Sequence, residues 1–502
     1  IGLRYSTESP FTTKYGGMSN FDPTATDPLT GGLGAIIHPT SGLNKRDTNN
    51  FNPRFGLAWH PFQKWVFRGG IGFYAVDVKF PGTRIQFDEY VATASQSRAP
   101  GDPRPIYAIS RGPDPVAFNV LPNGTVPFVG TNYSGRGASR WDTSLRNPYT
   151  TNWNLSVQYE FVKDYLLEFS YQASAGVGLV ENWQSNIFPI DFAAGNPALQ
   201  AQVQAQSQNF RPYNHFGNIP LRSNYGHSTF HSGTVKLEKR LSRGMYFNTF
   251  YTWAKAIDSQ DTDGAGSGLM PLQNRGLEKA RAGYDRTHRV VGVINYELPI
   301  GKGKRWMNGG GWKHFVFGGY EISWIQTIES GNPLNFGFSS PFNYYGTDFG
   351  SRRPDLVGQP RIRDNWNDFG GDRFNTNNVN SVFESMSVFA YPGGCTTSAA
   401  TPTAAERAQC DFRIGNAGRN IVTGLPLLWS QVSAQKNFQV TERLRAQLRW
   451  DFQNALKTFN FNSPSTSVDF RNPLTFGKTN NDPTTASLGG QPLMNLTVML
   501  SW

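Results

Sequence analysis

Apolar and polar residues alternate along much of this chain in segments of ten or so residues, and the segments come in pairs joined by very short turns. The clearest pair is TNWNLSVQYEFV, the dipeptide Lys163-Asp164, and YLLEFSYQA. Trp153, Leu155, Val157 and Tyr159 share one face of the first segment, and Asn154, Ser156, Gln158 and Glu160 share the other. In the second, Leu167, Phe169 and Tyr171 oppose Glu168, Ser170 and Gln172. Strand side chains point alternately to two faces, so each segment predicts a strand that is apolar on one side and wet on the other. Soluble sandwiches alternate in the same way, so one pair decides little.

The pairs recur. Residues 51–62 and 65–76 meet at Gln63-Lys64, 229–240 and 245–255 at LSRG, and 426–438 and 444–454 at QVTER. Residues 287–299 and 312–330 are joined by the Gly/Lys-rich turn GKGKRWMNGGG. A last strand at 492–502 and a partial first one at 1–5 bring the expected total to about twelve. Between the pairs lie long connections, 6–50, 77–149, 176–228, 256–286, 331–425 and 455–491. Such lengths are unusual inside a compact soluble domain. Tight turns at one end and long loops at the other are the asymmetry of an antiparallel outer-membrane β-barrel, whose strands cross a bilayer with ~9–11 residues. Short turns then face the periplasm, the last strand ends there, and aromatics such as Trp59, Phe62 and Trp65 near one turn fit an interfacial girdle.

Composition agrees. The 502 residues are 17% charged and 14% aromatic, with 53 Gly and 32 Pro. Aromatics argue against disorder, and no run approaches the 18 or so apolar residues of a spanning helix. A barrel can be polar on average because only alternate residues meet lipid. The net charge of +11 is scattered, apart from Lys302, Lys304 and Arg305, and no nucleic-acid module surrounds it. A basic pore or surface that favours anions is the better reading, and no nucleic-acid partner is expected.

The segment PLMNLTVMLSW puts Met494, Leu496, Val498, Leu500 and Trp502 on one face and ends the chain on an aromatic. It resembles the C-terminal signal read by the outer-membrane barrel-assembly machinery. Cys395 and Cys410 enclose the only stretch between cysteines and have no third Cys or His between them, so a local disulfide is preferred to two free thiols. The chain starts IGLRYS with no export signal, so a mature or truncated portion of something longer is expected.

A wider resemblance rests on many ordered segments: NFNPRFGLAWHPF, WVFRGGIGFY, RNPYTTNWNLSVQYEF, FRPYNHFGNI, GTVKLEKRLSRGMYFNTFYTWAKAID, YDRTHRVVGVINYELPIGKGKRW, IESGNPLNF, RRPDLVG, GNAGRN and VTERLRAQLRWDFQNALKTFNF. Together, from about Phe51 to Trp502, they resemble TonB-dependent receptors, in particular the Oar-like group whose members carry an N-terminal carboxypeptidase-regulatory-like domain and abound in Acidobacteria. The resemblance implies a barrel of about 22 strands around a plug, in the outer membrane of a Gram-negative bacterium. Residues 1–502 would be the C-terminal part of that barrel, with the plug, the energy-coupling box and the regulatory-like domain absent from this sequence. The implied partners are outer-membrane lipid and lipopolysaccharide, the barrel-assembly machinery, the TonB energy-coupling complex acting through the missing plug, and a nutrient such as a siderophore, cobalamin, oligosaccharide or peptide. The rival reading is a passive porin or a surface adhesion or structural protein.

Sites for chemistry are sparse. In DSQDTDGAGSG, Asp261, Asp263 and Gly264 fall at the third, fifth and sixth positions of a calcium loop, but Met270 stands where a bidentate Glu is required, so they are weak metal candidates. His227 and His231 are four residues apart on an expected strand, ~13 Å, too far to share an ion; His215 lies in the same loop. LPIGKGKRW lacks the spacing of a phosphate loop. The stretch after Asn196-Pro197 predicts a short loop helix. With no hydrolase motif in view, neither an enzyme nor a cofactor is expected.

Overall fold

The computed structural model describes residues 1–76, 137–261, 271–338, 353–364, 381–392, 415–439, 444–478 and 493–501, together with 106, 107, 110 and 112. Within these spans, 11, 13–17, 28, 29, 38, 40, 41, 190, 191, 194, 310 and 459 are excepted.

Twelve strands follow one another along a single antiparallel sheet, each hydrogen-bonded to the next in sequence. They are β1 (Gly2–Glu8), β2 (Asp47–Phe62), β3 (Trp65–Ala75), β4 (Tyr149–Val162), β5 (Tyr165–Gln184) and β6 (Pro220–Ser242). The second half comprises β7 (Met245–Asp258), β8 (His288–Glu297), β9 (Tyr320–Glu329), β10 (Leu427–Gln439), β11 (Arg445–Gln453) and β12 (Leu493–Ser501). Two short strands, Arg140–Trp141 and Ala280–Arg281, attach to β6 and β7 and complete a 14-stranded sheet whose edges are β1 and β12.

The register turns the sequence alternation into two continuous faces, because residues directly opposite in a ladder share a face. One row runs Trp59, Phe67, Val157, Phe169, Val235, Tyr251, Val290, Ile328, Leu428. The opposite face carries rows such as Glu297, Glu321, Gln435, Arg449, Thr497, tied laterally by Gln158 Nε2 to Glu168 Oε2 at 3.0 Å and Arg68 Nη1 to Gln158 Oε1 at 2.9 Å. Glu168, Glu238, Glu297, Glu321, Glu329 and Asp451 all take inner positions. Apolar outside and polar inside inverts the order of a soluble sheet and suits lipid around a wet lumen.

Burial shows the same inversion. Phe169 is 53% exposed and Trp253 60%, whereas the large fully buried side chains, among them Trp183, Phe21, Phe216, Phe336 and Phe383, lie outside the spans in the loop layer. That layer has its own core, in which Trp183, Ile187 and Val203 pack with Leu334, Phe336, Phe383, Phe389 and Val422 from later connections. The helix expected after Asn196 is α1 (Pro197–Gln206), and Asn196 Oδ1 caps it by accepting from Leu199 N at 3.1 Å. A hairpin, Asn20–Thr26 with Leu33–Ile37, packs Phe21 and Ile36 against Phe216 and Ile219.

Two expectations need correction. Residues 312–330 are not one strand: α2 (Trp312–Phe317) precedes β9, because Gly311 (φ +79°) and Gly319 (φ +75°) take left-handed backbone that ends extended pairing on either side. The connection 176–228 is also shorter than its alternation suggests, since β5 runs on to Gln184 and β6 starts at Pro220. Only ~9–11 residues are needed to cross a bilayer. The parts of β5 past Val177 and of β6 before His227 therefore stand above it, beyond bulges between Val177 and Glu181.

Candidate functional site

The connections at the loop end converge on one buried ionic cluster. Asp258 closes β7, Asp261 follows it, and Glu278 ends the 3₁₀ turn Leu272–Glu278. Arg353 and Arg419 arrive from the connection between β9 and β10, and with Asp258 and Glu278 they are at most 8% exposed. Arg419 bonds the Asp258 carboxylate through Nη2, sits 2.7 Å from Asp261 Oδ2, and donates through Nε to the Glu278 carbonyl at 3.1 Å. Arg353 Nη2 meets Glu278 Oε1 at 2.7 Å, and its Nη1 donates to Leu277 O at 3.0 Å. Beside them Arg281 holds Asp285 at 2.9 Å, and Asn420 Nδ2 donates to the Arg281 carbonyl at 2.7 Å.

The backbone allows this approach at one point in particular. A Cβ on Gly415 would run into the main chain of Arg353 and Pro354, so only glycine lets the GNAGRN segment lie close enough for Arg419 to reach Asp258.

Glu181, 3% exposed on the raised end of β5, extends the acidic side and accepts from Ser259 Oγ. Glu181, Asp258, Asp261 and Glu278 are four carboxylates gathered around two guanidiniums, those of Arg353 and Arg419, an excess of negative charge that a bound proton reduces. Burial, with the fields of Asp258 and Glu278, pushes Glu181 up to about 7, against the pull of Ser259 and Arg419. Burial also raises Glu278, opposed by Arg353 and Arg419. A carboxyl whose folded-state pKa is raised stabilises the fold most below its unfolded value and loses that contribution as pH rises through the folded one. Between its ordinary 4.5 and about 7, the loop layer should become easier to open by roughly 3 kcal/mol. Hydrogen exchange of the segment around Glu181 checks this: Glu181→Gln should flatten the pH dependence, and an equally steep dependence in that variant would remove Glu181 as its source.

Next to the cluster lies a cleft of ≈ 330 Å³ whose lining includes Trp183, Tyr225, Ile257, Arg275 and Lys279 together with Asp258 and Ser259. The Arg275 guanidinium stands 4.9 Å from the Tyr225 ring centroid. Asp258 is paired with Arg419, and in the cleft Arg275 and Lys279 stand with Trp183, Tyr225 and Ile257, a lining suited to an anion with a planar or apolar body. Ser259 Oγ faces the Glu181 carboxylate and the His227 carbonyl, not an imidazole.

Of the residues singled out in the sequence, Asp261 spends its carboxylate on Arg419, Asn420 and the Gly283 amide, while Asp263 lies outside the described residues. Among the described residues no group of three or more His, Cys, Asp or Glu side chains is placed to hold a metal ion. His215 is buried with Nε2 3.0 Å from Gly34 O, and His231 pairs with Tyr171 on β5, so the loop histidines are not brought together. Cys395, Cys410 and Trp502 lie outside the described residues. Met494, Leu496, Val498 and Leu500 stand on the outer face of β12, opposite Phe452, Trp450, Leu448 and Ala446.

Sequence reasoning missed Glu181, Glu278, Arg353 and Arg419 as a site. A signal was nevertheless present: RRPDLVG contains Arg353, GNAGRN contains Arg419 and Asn420, YDRTHR contains Asp285 and WAKAID ends on Asp258. These four segments, read separately in the sequence, each contribute a residue to one cluster.

The sequence profile of the family described as "Outer membrane beta barrel domain" matches residues 1–488. Among curated proteins none matches the chain. Similar solved structures include the outer membrane transporter YddB from Escherichia coli, with a TM-score of 0.42 and 10% identity over 91% of this chain and 42% of that one. The ferripyoverdine receptor of Pseudomonas aeruginosa gives 0.37 and 9% over 93% and 34%. The siderophore receptor PirA from Acinetobacter baumannii gives 0.36 and 7% over 91% and 41%. The chain thus spans less than half the length of each.

Proposed function

Because the chain belongs to the outer membrane β-barrel domain family and so sits in the outer membrane of a Gram-negative bacterium, we propose that it is the C-terminal part of the barrel of a TonB-dependent transporter. Its cargo would be a large or scarce nutrient, a siderophore, cobalamin, oligosaccharide or peptide, captured from outside. The observation that carries this reading is the loop layer: a packed roof with its own core and a cation-lined cleft, set over a sheet whose inner face is polar. The ordered sequence segments that resemble TonB-dependent receptors support the energised form, in which the plug and the coupling complex belong to the full-length protein.

The test is uptake by cells carrying the full-length protein, with and without a protonophore, across candidate nutrients. Uptake that needs the proton gradient and falls at least tenfold in a strain lacking the protein supports the proposal. Uptake indifferent to the gradient would make the barrel a passive pore.

The alternating face from Met494 to Trp502 is proposed as the element read by the barrel-assembly machinery, and lipopolysaccharide as the surrounding lipid. Trp502→Ala in the full-length protein should lower the amount assembled in the outer membrane several-fold on immunoblots of membrane fractions; wild-type amounts would remove the terminal aromatic from that role.

A further inference from the structure

The outer face at the loop end of the spans carries a feature that transport does not require. One row of directly opposed residues runs Leu155, Tyr171, Gly233, Trp253, His288. The next row toward the loops runs Trp153, Ala173, His231, Lys255. Counted from Met245 at the turn, Lys255 stands at the far end of the ~9–11 residues that cross a bilayer, the level of the outer leaflet's headgroups.

At this level the lining is specific. A Cβ on Gly233 would meet nothing within 4 Å, so the row opens into a notch between the Tyr171 and Trp253 rings. Tyr171 Oη lies 2.7 Å from His231 Nδ1, and Tyr251 Oη lies 2.8 Å from His288 Nδ1. With each hydroxyl donating to Nδ1, the ring proton sits on Nε2, and both histidines offer a donor away from their tyrosines even when neutral. Lys255 is exposed and forms no hydrogen bond or ion pair among the described residues.

Two other lysines on outer positions behave differently. Lys239 donates to Ser242 O and Met245 O, each at 2.8 Å, and Lys436 donates to Val316 O with its ammonium 4.1 Å from the Tyr320 ring centroid. Those turn-side cations are satisfied by the protein; the loop-side one is not. Within the spans of β4–β8 no carboxylate takes an outer position to neutralise it, since Glu160, Glu168, Glu238 and Glu297 all face inward.

We propose that this patch docks a phosphate-bearing lipid of the outer leaflet, with the phosphate between Lys255, His231 and His288 and an acyl chain in the Gly233 notch. Charge complementarity selects the headgroup, since one ammonium and two imidazole donors meet phosphate oxygens with no competing carboxylate. The notch selects a lipid over free phosphate, because only a chain gains by filling it. The inference depends on the barrel's place in the outer membrane and not on its cargo.

The test titrates the full-length protein, purified in detergent, with bisphosphorylated lipid A and counts retained lipid by native mass spectrometry. Lys255→Ala should weaken retention about fivefold, the worth of one basic residue at a membrane surface, and Lys255→Arg should restore it. Gly233→Leu should weaken it with the cations intact, while Lys64→Ala, an exposed lysine of the Gln63-Lys64 turn at the opposite end of the strands, should change nothing. Circular dichroism of each variant confirms the barrel before titration. Unchanged retention in Lys255→Ala combined with His231→Ala and His288→Ala overturns the proposal. So does competition by inorganic phosphate alone together with indifference to Gly233→Leu, which would identify a simple anion site.

Discussion

Replacing Arg419 by alanine is expected to loosen the loop layer by roughly 3–5 kcal/mol, the usual cost of removing one partner from a buried charge cluster, while leaving the spanning strands as they are. Arg419 touches three acidic groups delivered by two different stretches of chain, Asp258 and Asp261 after β7 and Glu278 at the end of the 3₁₀ turn. Without it Asp258 is left buried beside Glu181 and Asp261 with no cation in contact, and Glu278 retains only Arg353. Hydrogen exchange on the full-length protein would read this as faster exchange in residues 415–423, 353–363 and 271–287, with β4–β8 unchanged. Arg353→Ala, which deprives one carboxylate, should have the smaller effect. Adding Asp258→Asn to Arg419→Ala should recover part of the loss, because the penalty lies in the stranded charge more than in the missing bond. Protection in 415–423 that survives Arg419→Ala would show that apolar contacts such as Val422 against Leu334 hold the roof by themselves.

The strands were legible in the sequence because a bilayer imposes a strict demand on them. Outer positions are mostly apolar over the ~9–11 residues that cross, and the two-residue turns at Gln63-Lys64 and Lys163-Asp164 leave no freedom of register. Above the bilayer that demand ends. Val180 and Trp183 are buried against loops, not lipid, so alternation no longer reports where β5 stops. Trp312, His314 and Val316 alternate as a strand would, and only the glycines flanking them, at positive φ, show that the pairing cannot include them. The ionic cluster was illegible for another reason. Residues 181, 258, 278, 353 and 419 are far apart in sequence, and no spacing rule joins them, because their meeting depends on how the chain at the loop end of β5, between β7 and β8 and between β9 and β10 folds together. Arg419 is one of 47 basic residues until its carboxylates are in place.

The assignment of faces can be put to its hardest test at mid-bilayer. Phe169 is the outer residue in the row from Trp59 to Leu428, and Ser170, its neighbour in the chain, faces Ser156 and Thr234 on the inner side. An arginine at position 169 must leave its guanidinium in hydrocarbon or bend the bilayer to reach water, and the expected loss is about 2–4 kcal/mol. An arginine at 170 enters a face where Glu168 and Gln172 already stand in polar surroundings, and the cost there should be within about 1 kcal/mol. Urea unfolding of the full-length protein in lipid bilayers separates the two variants by their midpoints. Equal destabilisation would mean that both faces of β5 meet the same solvent, which no membrane-spanning barrel permits. A larger loss at 170 would place the lipid on the polar side and reverse the inside and outside of all twelve strands.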